Sequence, residues 1–85
     1  MKPDRDPELA RLYWQCRRGM RELDLLLQAY FDSTAGAMTA AERAAFARLL
    51  EYPDALLLEY LLGRSSPSDR ELADVTRRIR EAAVD

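Results

Sequence analysis

The residues of this chain that could do chemistry are concentrated in one stretch, Cys16-Arg17-Arg18-Gly19-Met20-Arg21-Glu22-Leu23-Asp24. We call residues 16–24 the charged segment, because a thiol, three arginines and two carboxylates fall within nine residues. A thiol can act as a nucleophile, a carboxylate as a general base, and arginines can bind carboxylates or phosphates. The plainer alternative is a helix end followed by a salt-bridged helix start.

Catalysis is not expected from these groups. The chain has no histidine and one cysteine, so it lacks an imidazole base for a nucleophile and most ligands for a transition metal. Cys16 falls on an apolar helical stripe, which favours a buried, inert thiol over a reactive one. Glu22 and Asp24 are two positions apart, so they diverge by about 200° around a helix and cannot converge on one substrate atom. We therefore expect no catalytic residue, no metal site and no stably bound cofactor.

The elements that position the charged segment are predicted to be helices. Fourteen leucines stand against two valines and one isoleucine, a composition that favours an all-α fold. Eighty-five residues are enough for one domain, and a net charge of -2 gives no electrostatic footprint for nucleic acid.

No apolar run approaches the roughly 20 residues that cross a bilayer, and residues 1–7 lack the apolar part of a signal peptide. We expect a soluble, cytoplasmic monomer that does not insert into membranes.

The hydrophobic periodicity predicts a compact single-domain bundle of five short helices. Residues 1–5 are expected to form a flexible tail, and residues 6–85 a single helical domain. The second helix is predicted from about residue 20 to residue 31, followed by a loop over residues 32–38. The fourth helix, residues 54–62, is apolar around most of its circumference and is expected to lie at the centre of the bundle.

Several helix ends carry capping signals. Asp6 suits the N-cap of the first helix, and Gly19 suits the left-handed residue that ends it, with the two arginines before Gly19 in the last turn. Two four-residue stretches, 39–42 and 68–71, read as capping boxes in which Thr39 and Ser68 are the N-caps.

Trp14 lies off the apolar stripe of the first helix, and two interpretations stay open for it. It either packs against a neighbouring helix from the flank or is a partly exposed aromatic beside the basic turn. Tryptophan is often buried but rarely completely, and it is enriched together with arginine at interface hot spots. The arginines at positions 77, 78 and 80 are expected to form a solvated helix face.

Residues 18–24 read Arg-Gly-Met-x-Glu-Leu-Asp without a gap. This order resembles the signature of the succinate dehydrogenase flavinylation assembly factors, an Arg-Gly-x-x-Glu core inside that longer pattern. A later part of the family pattern is matched by Phe46, Leu49, Leu50, Glu51, Asp54, Leu57 and Leu61. The similarity runs from about Leu9 to Leu62. Tyr60 replaces the usual tryptophan and Tyr52-Pro53 a more acidic turn, and both departures concern helix packing.

The resemblance implies an assembly factor rather than an enzyme. Such a factor binds the flavoprotein subunit of succinate dehydrogenase, and in bacteria that of the related fumarate reductase. It promotes covalent attachment of FAD to a histidine of that client, so the FAD belongs to the client. The resemblance places the core contacts at Arg18, Gly19 and Glu22, with Met20 and Asp24 beside them. We add Arg17 and Trp14 as further partner-binding residues.

Two other function classes are compatible with a small helical protein. A small regulatory or antitoxin-like helical module could bind another protein without any link to flavin. A DNA-binding helix-turn-helix needs a basic recognition helix, and the helix after residue 39 has only Arg43 and Arg48, so binding to nucleic acid is not expected.

Overall fold

The computed structural model describes residues 6–34 and 36–83, with the side chain of residue 83 left out. Within this part of the chain there are five α-helices and no strand, so the predicted all-α fold is confirmed. The helices are α1 (Pro7–Gln15), α2 (Arg21–Thr34), α3 (Ala40–Leu49), α4 (Asp54–Leu61) and α5 (Arg70–Ala83). The predicted tail, residues 1–5, lies outside the described residues. None of the described helices is long and apolar enough to cross a membrane.

Helix α5 packs against α2, α3 and α4, and α2 also contacts α4. The apolar stripes of these helices meet in one core, whose largest fully buried side chains are Phe31, Phe46, Leu12, Leu23, Leu27, Leu49, Leu57, Ile79 and Cys16. The predicted central position of α4 is wrong, because Leu56 and Leu62 are exposed and only Leu57 and Leu61 of this helix are buried. One face of a short helix reaches the core, and its remaining leucines stay at the surface.

The first helix begins as predicted and ends earlier. The Asp6 carboxylate accepts the N–H groups of Glu8 and Leu9 at 3.0 and 3.3 Å. The helix stops at Gln15, with Cys16 as its C-cap, so the prediction that the two following arginines form its last turn is wrong. Gly19 does have a left-handed backbone, with φ of +84°, but it lies in the link to α2.

The second helix begins one residue later than predicted, at Arg21, and ends three residues later, at Thr34. The hydroxyls of Ser33 and Thr34 donate to the carbonyl oxygen of Tyr30 at 3.0 and 2.6 Å. These local hydrogen bonds satisfy a carbonyl of the last turn, so two residues typical of turns remain helical. The predicted loop over residues 32–38 is therefore shorter.

The two predicted capping boxes have different outcomes. Thr39 and Glu42 form a complete box, in which each side chain accepts the other residue's backbone N–H, at 2.8 and 3.1 Å. At the start of α5 the cap is Asp69 rather than the predicted Ser68. The Asp69 carboxylate accepts the N–H groups of Glu71 and Leu72 at 2.8 and 3.3 Å. A carboxylate competes well for these donors because its bond to them is charge-assisted.

Candidate partner-binding surface

The side chain of Arg18 is anchored within the chain, although Arg18 lies in the short link between α1 and α2. Its Nη1 donates to the carbonyl oxygen of Leu50 at 2.7 Å and to that of Gln15 at 3.3 Å. Its Nη2 donates to the carbonyl oxygen of Tyr52 at 2.8 Å. Its Nε donates to Oδ1 of Asp54 at 2.7 Å, and only 16% of the side chain is exposed. The guanidinium thus binds acceptors at the end of α1, in the link between α3 and α4, and at the start of α4.

These acceptors lie at helix ends, which explains why a cation is favoured there. Gln15 is the last residue of α1, and Leu50 is the C-cap of α3. Carbonyls at helix C-termini lack intrahelical donors and carry partial negative charge. Asp54 is the first residue of α4, where a carboxylate is favoured by the opposite end of the dipole. One arginine therefore joins the ends of three helices.

The backbone of Arg18 is held from the other side. Its N–H donates to Oδ1 of Asp24 at 2.7 Å, and Asp24 lies one turn into α2. Glu22 is exposed on α2, whereas Asp24 is half-buried. Of the predicted partner-binding residues, Arg18 and Asp24 thus meet each other and have polar groups engaged inside the chain.

Of the two interpretations of Trp14, the structure supports the exposed aromatic beside the basic turn. Its side chain is 63% exposed, and the guanidinium carbon of Arg17 lies 5.7 Å from the centre of its ring. The Tyr13 ring packs edge-on against it, with 5.3 Å between the ring centres. Trp14 and Arg17 form an exposed cation–π pair at the start of the charged segment.

Gly19 is exposed, and its surroundings are open. A Cβ atom built there would meet no described atom within 4 Å. The glycine is needed for its left-handed backbone and not because the protein itself crowds it. Beside it, Met20, Arg21 and Glu22 line a shallow depression of about 340 Å³ together with Leu58 of α4.

Cys16 is confirmed as a buried thiol. None of its surface is exposed, and Sγ lies 3.9 Å from the carbonyl oxygen of Leu27. Burial raises the pKa of the Cys16 thiol to about 12, so the thiol is neutral at physiological pH. The charged segment therefore presents hydrogen-bonding groups, charge and apolar surface, and no thiolate.

Two features of this region were missed by the sequence reasoning. Asp54 was noted as a helix start and as part of the later family pattern, but not as the carboxylate that binds Arg18. Leu25 is 62% exposed and lies one turn beyond Glu22 on α2. With Glu22, it lines a groove of about 530 Å³ whose other residues are Leu26, Ala29, Leu62 and Ala82. The spacing could have indicated Leu25, since it lies off the stripe of Leu23 and Leu27.

Comparisons with known proteins match most of the chain. The sequence model of a family described as "Flavinator of succinate dehydrogenase" matches residues 10–83, which include the whole charged segment. The chain is 38% identical over 71 residues to the FAD assembly factor SdhE of Coxiella burnetii, covering 84% of this chain and 87% of that relative. It is 40% identical over 70 residues to the protein of the same name from Yersinia pseudotuberculosis, covering 82% and 80%. With the Pectobacterium atrosepticum protein of that name it shares 38% identity over 63 residues, covering 74% and 72%.

Proposed function

The chain belongs to the flavinator of succinate dehydrogenase family, and on this premise we propose that it binds the flavoprotein subunit of succinate dehydrogenase and promotes covalent attachment of FAD to a histidine of that subunit. The family consists of assembly factors, so the protein is not itself a catalytic enzyme. The FAD belongs to the client subunit. The flavoprotein subunit of fumarate reductase is proposed as a second client.

The observation that best supports this proposal is the division of roles within the charged segment. Arg18 and Asp24 are bonded inside the chain, whereas Arg17, Gly19 and Glu22 are exposed next to them. A segment whose conformation is already fixed loses little conformational entropy when a partner binds. The exposed groups are therefore available for contact on a rigid support.

The exposed residues offer three kinds of contact. Trp14 and Arg17 are two residue types that are enriched at interface hot spots. Glu22 can accept charge-assisted hydrogen bonds. Gly19 lets a partner's backbone approach closely, since it has no Cβ. Met20 adds apolar surface beside Glu22.

We propose that the protein acts by positioning and donates no chemistry. Binding stabilises a client conformation in which the flavin and the acceptor histidine are aligned, and such alignment accelerates bond formation. Cys16 is buried and neutral, which is consistent with this role. Arg18 contributes mainly by holding the segment, because its Nε, Nη1 and Nη2 already donate within the chain.

The first prediction concerns Gly19→Arg. This variant is expected to abolish stimulation of flavinylation, because the new side chain extends into the open space that a partner's backbone would occupy. The left-handed backbone adds strain of about 1 to 2 kcal/mol for a residue with a Cβ, so the fold should persist with a modest loss of stability. The measurement is covalent flavin fluorescence of the denatured client subunit, in a strain that lacks its own assembly factor.

Two further variants serve as controls. Gly36→Arg adds the same side chain in the link between α2 and α3, also in open space, and should stimulate like the unaltered protein. Gly19→Asn keeps a residue that tolerates the left-handed backbone and should retain more stimulation than Gly19→Arg. Full stimulation by Gly19→Arg would remove Gly19 from the interface. Failure of the unaltered protein to capture the flavoprotein subunit from cell extract would favour the regulatory module without a link to flavin.

A further inference from the structure

Asp54 is the carboxylate among the four acceptors of the Arg18 guanidinium, and the other three are backbone carbonyls. Carbonyls satisfy hydrogen bonds, but they do not neutralise a positive charge that is largely withdrawn from water. The Arg18 side chain is 16% exposed, whereas that of Asp54 is 39% exposed. Asp54 is thus the counter-charge that allows Arg18 to lie inward.

The ion pair is positioned to control the backbone at Gly19. The residue before Gly19 is held at both ends, by Asp24 at its N–H and by Asp54 at its guanidinium. Without Asp54, the guanidinium gains solvation by turning outward, and the carbonyls of Leu50 and Tyr52 lose their donor. The peptide group between Arg18 and Gly19 then loses one of the two contacts that hold it.

The carboxylate of Asp54 is not used to cap its own helix. The N-cap of α4 is Pro53, and no side chain caps this helix end. Asp54 also lies 36 positions from Arg18 and outside the Arg-Gly-x-x-Glu pattern. Its bond to Arg18 is therefore distinct from a capping bond, although the Asp54 charge also interacts favourably with the start of α4.

We propose that Asp54 is a positioning residue for partner binding, which acts through Arg18 to hold the charged segment in its binding conformation. This inference rests on the proposed function. Loss of Asp54 should weaken client binding and leave the maximal rate of flavinylation unchanged, because the exposed contact groups are still present. A purely structural role would instead lower the folded fraction, so that the half-saturating concentration, expressed as folded protein, would stay unchanged.

The test measures the rate of covalent flavinylation of the purified client subunit at increasing concentrations of each variant, with FAD in excess. Asp54→Ala should raise the half-saturating concentration about tenfold or more, the size expected for losing a charged hydrogen bond. Asp54→Asn keeps the shape and removes the charge, so it should show a smaller shift in the same direction. Glu51→Ala is the matched control, since it removes an exposed carboxylate from the same link and should leave the half-saturating concentration unchanged.

Two further readouts separate positioning from folding. Asp54→Ala added to Arg18→Gln should cause little additional shift, because both changes break the same bond. The emission of Trp14, the only tryptophan, should change in Asp54→Ala and not in Glu51→Ala, since Trp14 contacts Arg17 directly before Arg18. Thermal melting of each variant gives the folded fraction. If Asp54→Ala is unfolded, the same titration is carried out with Asp54→Asn.

The outcomes are distinguishable. An unchanged half-saturating concentration in folded Asp54→Ala, with Gly19→Arg inactive, overturns the role of Asp54 and leaves the proposed function intact. Fully additive effects of Asp54→Ala and Arg18→Gln also overturn it, because Asp54 would then act independently of Arg18. If the unaltered protein does not stimulate flavinylation, both the proposed function and this role fail.

Discussion

Trp14 and Cys16 are two positions apart and have opposite environments. The indole of Trp14 is largely in solvent, and the thiol of Cys16 is completely buried. Two positions correspond to about 200° around a helix, so one residue faces outward when the other faces the core. This alternation places an exposed aromatic and an inert thiol within the same short stretch.

The environment of Cys16 gives a prediction for its reactivity. Iodoacetamide reacts with the thiolate, and a pKa of about 12 leaves very little thiolate at pH 8. The native protein should therefore be alkylated far more slowly than the protein in 6 M guanidinium chloride, by roughly a hundredfold or more. Mass spectrometry of timed samples measures both rates. Equal rates in the two states would show that the thiol is accessible, and the burial argument would fail.

Arg18 illustrates which part of the surface could be predicted from sequence. Its presence in a charged helix break and in a family signature can be read directly from the residues around it. Its acceptors cannot, because three of the four are backbone carbonyls, which every residue carries. Only the fold brings Leu50 and Tyr52 to Arg18 across 32 and 34 positions. Sequence therefore identified the segment, while the direction of its side chains required the structure.

At the level of elements, local signals predicted helix starts better than helix ends. The N-caps Asp6 and Thr39 act through bonds that span two or three positions, so short patterns contain the information. The link after α1 is held by a contact from the next helix, in which Asp24 accepts the Arg18 N–H, and a short pattern at the end of α1 does not contain this contact. The same limit applies to α4, whose apolar circumference did not reveal which face is buried.

The start of α5 gives a prediction about stability. Asp69→Ala should lower the melting temperature, because the N–H groups of Glu71 and Leu72 lose their acceptor. Ser68→Ala should have little effect, although the sequence pattern favoured Ser68 as the cap. Circular dichroism melts of both variants at pH 7 provide the comparison. A larger loss for Ser68→Ala would contradict the assignment of the cap.

The same carboxylate makes a prediction for pH. The hydrogen bond from Leu72, with further contributions from Arg48 and Glu71, holds the pKa of Asp69 below its usual value of 3.8. A lowered pKa in the folded state means that the stabilisation is complete above pH 3.8 and disappears as the pH falls through the folded value. In Asp69→Asn, the asparagine can cap the helix but does not titrate. The stability of this variant relative to the unaltered protein should therefore rise as the pH is lowered from 5 to 2. A constant difference across this range would argue against a titrating cap.

For the whole molecule, α3 is connected to its neighbours by charged contacts as well as by its core residues. Arg43 binds Asp6 and Glu8 before and within α1, at 3.1 and 2.9 Å. Arg48 binds Asp69 and Glu71 at the start of α5. Apart from Arg43, these side chains are exposed, so each pair contributes little alone and less at high salt. Helix α5 packs against three other helices in the shared core. Burial of this core supplies the larger part of the stability.

This arrangement predicts that residues 6–85 unfold as one cooperative unit. Circular dichroism, which reports all helices, and Trp14 fluorescence, which reports the end of α1, should give the same urea midpoint. Ile79→Ala in α5 should lower both midpoints together, with a loss of about 2 to 5 kcal/mol for a fully buried side chain. A Trp14 transition at lower urea would mean that α1 separates before the rest, and the single-domain assignment would then be wrong.

The pairing of Arg18 with the link between α3 and α4 has a consequence for the order of events during synthesis. A nascent chain that has just completed residue 49 already contains every residue of the charged segment. It still lacks Leu50, Tyr52 and Asp54, so three of the four Arg18 acceptors do not yet exist. The segment can therefore reach its anchored conformation only after most of the polypeptide has left the ribosome. A released fragment that ends before residue 50 should consequently be a poor competitor for the proposed client, even though it contains the whole charged segment.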